Sequence, residues 1–108
     1  MKTPKNYDLY GFPEIRLEIV RESVASALNV VFERRDSSYR GGEYFRCATA
    51  RGDEFILQTN YHESSGDWAE DAFQQHPTLL YATTGTEHDS AKDAIASIGG
   101  HLLRRQVL

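Results

Sequence analysis

Residues 30–60 read VVFERRDSSYRGGEYFRCATARGDEFILQTN, and their reading decides the fold. Three runs rich in β-forming residues stand in this stretch: Val30 to Arg35, Glu43 to Thr49 and Glu54 to Asn60. Two turn signals separate them. Asp36-Ser37-Ser38 leads into a connection centred on Tyr39 to Gly42, and Arg51-Gly52-Asp53 marks a second tight turn, where glycine tolerates positive φ at little cost. Runs this short with turns this tight predict an antiparallel three-stranded meander.

Upstream, Pro13 suits a first helical position, and Glu14 and Glu18 place negative charge near a helix start. Leu17, Val20, Val24, Leu28 and Val31 recur at three- and four-residue steps, while Arg16, Glu18, Arg21 and Glu22 fall mostly off that stripe. The spacing predicts an amphipathic helix over 13–29, preceded by a polar lead-in. Such a helix needs a sheet to cover.

Downstream, residues 61–77 lose the alternation and are expected to form a loop, with one or two helical turns from Trp68 to Gln74 capped by Asp67. Thr78 to Thr83 is short, apolar and β-rich, and predicts a further strand buried on nearly both faces. Ser90 and Asp93 resemble a capping box for a second helix, in which Ala94, Ile95 and Ile98 share a face and Gly99-Gly100 is the stop. Glu87, Asp89 and Asp93 would place charge at its start. Residues 102–108 are expected to close the sheet as a last strand, with continuation as a short helix the alternative. The fold class is α+β, a single domain over 1–108. A mainly antiparallel sheet of four to five strands is covered by two helices, in the order α-β-β-β-(loop)-β-α-β.

The formal net charge is −4 over 108 residues, and its distribution says more than its sum. Residues 1–51 are slightly basic, whereas from Gly52 to Asp93 the acids accumulate and Lys92 is the only base. A field of that sign repels nucleic acid and attracts basic proteins if the residues gather on one face. No apolar run approaches membrane-spanning length, and the first residues do not read as a signal peptide. Cys47 is the only cysteine, so no intrachain disulfide can form. A reducing, cytoplasmic setting is the expectation, with Cys47 as a small buried strand residue.

Motifs for chemistry are sparse. His62, His76, His88 and His101 lack metal-ligand spacing, and read as exposed loop histidines. No Gly-x-Ser-x-Gly elbow or phosphate-binding glycine loop is present, so neither catalytic residues nor a cofactor or metal is expected. Carboxylates for acid–base work would have to come from Asp67, Glu70 and Asp71, which read instead as solvated anions. Arg34, Arg35, Tyr39, Arg40, Tyr44 and Arg46 form a second grouping, on two neighbouring strands and their connection. Arginine forks and tyrosine rings suit single-stranded nucleic acid, with Arg34, Tyr39, Arg40, Tyr44 and Arg46 as its binding residues. The acidic balance of the chain disfavours that reading, and pairing of Arg34 or Arg46 with Glu33, Asp36 or Glu43 is the simpler one. Trp68, the only tryptophan, stands among acids, where it would serve either as an interface anchor or as a side chain folded back onto the sheet.

A small stand-alone domain without a catalytic signature, with one tryptophan in an acidic loop, resembles the bacterial immunity proteins of contact-dependent and other polymorphic toxin systems. The resemblance lies in layout across most of the chain and carries over no residue by motif. It implies an intracellular inhibitor that binds a cognate toxin directly, often a basic nuclease. On the residues themselves, Glu63, Asp67, Trp68, Glu70 and Asp71 are the expected partner-binding group, the acids steering a basic partner and Trp68 filling a pocket. A nucleic-acid-binding module on the Arg/Tyr strands and a small enzyme using the acid and histidine loop are the competing classes.

Overall fold

The computed structural model describes residues 4–86 and 90–108, so the expected roles of Glu87, His88 and Asp89 lie outside the described residues. Numbered along the chain, the elements are β1 (Lys5–Phe12), α1 (Leu17–Leu28), β2 (Glu33–Ser37), β3 (Gly42–Ala48), β4 (Glu54–Thr59), β5 (Tyr61–His62), β6 (Asp67–Trp68), β7 (Thr78–Gly85), α2 (Ser90–Ser97) and β8 (His101–Val107). Six strands form one sheet in the order β2-β3-β4-β7-β1-β8, with every neighbouring pair antiparallel. The meander over 30–60 is there as β2-β3-β4, and the architecture is α+β with two helices.

The largest correction is β1. The expected polar lead-in is a central strand, paired with β7 on one side and β8 on the other. The sheet therefore has six strands, not four to five, and the chain runs β-α-β-β-β-(ββ)-β-α-β. Period-two alternation puts Asn6, Asp8, Tyr10 and Phe12 on one face, and the two polar members of that set are what disguised it. Asp8 is buried because Arg105, on β8, grips its two carboxylate oxygens through Nε and Nη2 at 2.8 Å each, and because Tyr10 donates its hydroxyl to Oδ2 at 3.2 Å. A charge-assisted bidentate pair between residues 97 apart in sequence makes a buried carboxylate tolerable.

Tyr10, Phe12, Phe45, Cys47, Phe55, Leu57, Leu80 and Ala82 project from that same face into the core. Val20 and Val24 of α1 and Ala91 and Ile95 of α2 pack onto them, so both helices cover one side of the sheet. Fully burying an aliphatic or aromatic side chain contributes roughly 1.5–3 kcal/mol, and this layer is the main source of stability. Cys47 is buried as expected, and burial pushes its thiol pKa up.

Helix α1 begins at Leu17 rather than at Pro13. The Glu14 carboxylate accepts the Arg16 backbone N–H at 2.9 Å and also binds the Arg16 guanidinium, and Thr78 donates its hydroxyl to the Glu14 carbonyl at 2.7 Å. These bonds hold residues 14–16 in an extended entry. The helix ends at Asn29 in the left-handed region, φ 54°, whose N–H reaches the Ser26 carbonyl at 3.4 Å while the Val30 N–H reaches the Ala25 carbonyl at 3.0 Å, as a Schellman cap requires. Val31, counted in the apolar stripe, lies beyond this cap and is 87% exposed, and the buried side chain is Phe32. Consequently β2 starts at Glu33 and not at Val30, as an exposed edge strand.

Residues 60–77 leave the sheet and return over the face that the helices do not cover. The expected loop contains a hairpin, β5 paired with β6, and a single 3-10 turn at Asp71–Phe73. Asp67 lies in β6 and does not cap that turn, whose preceding residue is Glu70. Asn60 fastens the excursion at its root. Its side-chain amide, fully buried, donates to the carbonyls of Phe73 at 3.0 Å, His76 at 3.1 Å and Glu70 at 3.4 Å, and its Oδ1 accepts the Glu70 N–H at 2.8 Å. One asparagine thus supplies partners that a folded-back segment cannot obtain from a sheet ladder.

Candidate functional site

The hairpin sorts the expected partner-binding residues into two kinds. Tyr61 and Trp68 are directly opposite each other in its register, with ring centroids 4.9 Å apart and planes inclined at 58°. Tyr61 is exposed and Trp68 half-buried, so the pair is a self-supporting aromatic feature that still meets solvent. Glu63 and Asp67 are exposed beside it and form no ion pair among the described residues. Asp71 is exposed as well, accepting a 2.6 Å hydrogen bond from Gln74.

Glu70 belongs elsewhere. Its side chain turns in toward the sheet, where Tyr81 donates its hydroxyl to Oε2 at 2.6 Å and Arg104 spans both oxygens, Nη1 to Oε1 at 3.0 Å and Nη2 to Oε2 at 3.3 Å. Burial works to raise the Glu70 pKa, but the hydrogen bonds from Arg104 and Tyr81 outweigh it and hold the carboxyl below its ordinary value. Burial and the bond to Glu70 push the Tyr81 phenol up. A carboxylate held ionised in this way is no general acid, and it is no steering charge at the surface either.

The Arg/Tyr grouping is divided in the same manner. Arg34 contacts Glu18 of α1 at 2.5 Å and Glu43 at 3.3 Å, Arg35 contacts Glu33 at 3.1 Å, and Arg46 contacts Glu54 at 2.6 Å. Pairing of Arg34 with Glu43 is one of the simple cross-strand contacts anticipated from the sequence; Arg46 found Glu54 on the other neighbouring strand. Among the described residues, Arg40 alone of these arginines pairs with no carboxylate. Its guanidinium lies 5.7 Å from the Tyr39 ring and 5.5 Å from the Tyr44 ring, and Nη1 donates to Gln58 Oε1 at 2.8 Å.

Arg40 faces a cleft of about 430 Å³ between the β2-β3 connection and the returning excursion, lined by Tyr39, Arg40, Gln58, His62, Ala69, Glu70 and Tyr81. His62 is buried and not exposed as expected, and its Nε2 has no hydrogen-bond partner among the described residues. Its ring packs directly on Gly41, φ 81°, so closely that a methyl group there would overlap it. His76 is likewise half-buried, against Gly11, with burial and the nearby His101 lowering its pKa. His101 is exposed, 5.8 Å away ring to ring. No group of three or more histidine, cysteine or acidic residues among the described residues is placed to hold a metal ion.

No family model matches the chain, and no curated protein is detectably similar to it in sequence. The functional reading therefore rests on the chain's own residues. Gln58, His62, Tyr81, Arg104 and Asn60 carry the local geometry and were not singled out as a group by the sequence.

Proposed function

We propose that the protein is a non-catalytic binding protein, an immunity protein that neutralises a basic, nuclease-type toxin in the cytoplasm by direct contact. The observation that carries this reading is the Tyr61–Trp68 pair on a hairpin, Tyr61 exposed and Trp68 half-buried, flanked by Glu63 and Asp67 without ion-pair partners among the described residues. Paired aromatics offer large contact area at low entropic cost, and free carboxylates at their rim accelerate encounter with a cationic surface. Asp71 extends the acidic rim, whereas Glu70 acts inside the fold to seat the excursion. No helix among the described residues is long and apolar enough to cross a membrane.

Nucleic-acid binding is the weaker alternative, because Arg34 and Arg46 are neutralised by carboxylates and would have to exchange those partners for phosphate. An enzyme built on the acid and histidine loop is weaker still, since both oxygens of Glu70 are occupied by Arg104 and Tyr81.

The test is to recover the partner from the native host by gentle co-purification and to express that partner by itself. The proposal expects a basic protein at fixed stoichiometry that arrests growth when expressed alone and is harmless when this chain is co-expressed. A partner that is harmless alone would remove the immunity reading.

A further inference from the structure

We propose that the cleft at Arg40 is a binding site for a small organic monoanion that presents a carboxylate. The chain has nine arginines, all among the described residues. Eight of them, Arg40 being the exception, have a carboxylate within ion-pair distance. The acid closest to hand does not fill that role, because both oxygens of Glu70 are taken by Arg104 and one also by Tyr81. With Glu70 paired to Arg104 outside the cleft, the Arg40 guanidinium has no counter-charge of its own among the described residues.

Arg40 is also positioned for recognition. Its guanidinium lies against the rings of both Tyr39 and Tyr44, and Gln58 takes one Nη1 hydrogen. The Nε–Nη2 edge is left without a hydrogen-bond partner among the described residues, and that edge is the planar fork that matches a carboxylate through two parallel hydrogen bonds. His62, nine-tenths buried, lines the same cleft with its ring packed on Gly41. A pocket of about 430 Å³ has room for an organic acid of one ring. Charge count favours a monoanion: a phosphate dianion would set two negative charges against one free guanidinium.

This inference is independent of the hairpin surface, which neither Arg40 nor Gln58 contributes to. The test is a titration of the intact protein with benzoate, followed by amide chemical shifts at neutral pH, with benzamide and inorganic phosphate in parallel. Saturable shifts are expected at residues 39–41, 58 and 81 with benzoate, and at least tenfold weaker binding of benzamide and phosphate. In Arg40→Gln the benzoate shifts should disappear while the spectrum remains that of a folded protein; Arg40→Lys, which keeps the charge without the fork, should bind several-fold more weakly. Shifts scattered over the surface, equal binding of phosphate or benzamide, or unchanged affinity in Arg40→Gln would overturn the proposal. Should Arg40→Gln unfold, Arg40→Lys decides alone: wild-type affinity would contradict recognition by the fork.

Discussion

Glu70 and Arg104 stand 34 residues apart in the sequence and meet as a two-point pair, Nη1 to Oε1 at 3.0 Å and Nη2 to Oε2 at 3.3 Å, across the face of the sheet that the helices leave open. The contact ties the returning excursion to the edge strand β8, and Tyr81 of β7 reinforces it from below. An acid that sequence position would assign to a binding surface is thus a structural clamp.

Glu70→Gln should reduce stability at neutral pH by about 1 kcal/mol, a charge-assisted bond discounted for the half-exposed Arg104. The folded-state pKa of Glu70 lies below its ordinary value. Its contribution is therefore present above the ordinary carboxylate range and is lost as pH falls through the lower folded value. Urea unfolding at neutral pH and at about pH 3 should show the difference between wild type and Glu70→Gln shrinking in acid; a constant difference would contradict the clamp.

Asn60→Ala removes donors to as many as three carbonyls and an acceptor for one N–H, all in the excursion. A loss of about 2–4 kcal/mol is expected, with the six-stranded sheet retained. Limited chymotrypsin digestion should cut the variant first at Tyr61, Trp68 or Phe73, within the released segment. Initial cleavage elsewhere would show that Asn60 does not govern this unit.

Much of the fold is legible in the sequence because its apolar periodicity is plain: the Leu17–Val20–Val24–Leu28 stripe, the meander over 30–60 and the run from Thr78 onward all reappear as α1, β2-β3-β4 and β7. The central strand β1 is not, because two of its four core-facing positions are Asn6 and Asp8, and only Arg105, from the far end of the chain, makes Asp8 a sensible interior residue. Hairpin β5-β6 is hidden for another reason: two-residue strands are too short to alternate. At the candidate site, the aromatic and acidic character of residues 61–71 could be read in advance. The inward turn of Glu70 and the isolation of Arg40 depend on which long-range partner each side chain meets, and local spacing carries no record of that.

Gly41→Ala should be destabilising on two counts. Its φ of 81° lies in the left-handed region, which costs an alanine on the order of 1–2 kcal/mol, and the added methyl would overlap the His62 ring. A lowered melting temperature is expected together with displaced ring resonances of His62. Gly42→Ala, whose methyl would meet open space at a φ of 106°, should leave those resonances in place and separates backbone strain from ring displacement.

His76 is held neutral by burial and by the proximity of His101. Its depressed folded pKa means that stability is present above the ordinary histidine value and lost as pH falls through the folded one. Replacing His101 with glutamine removes one of the two causes, so the His76 ring protons should titrate at higher pH in His101→Gln than in wild type. An unchanged midpoint would show that burial acts alone.

The hairpin surface is tested most directly by stopped-flow association with the partner recovered from the host, comparing wild type with Glu63→Gln/Asp67→Asn and with Tyr61→Ala/Trp68→Ala. The single tryptophan serves as the optical signal for the first two proteins, and a labelled partner serves for the third. The account predicts slower association with a flatter salt dependence when the carboxylates are neutralised, and at least tenfold faster dissociation when the aromatic pair is removed. Unchanged rate constants in both variants, with the fold intact, would contradict it.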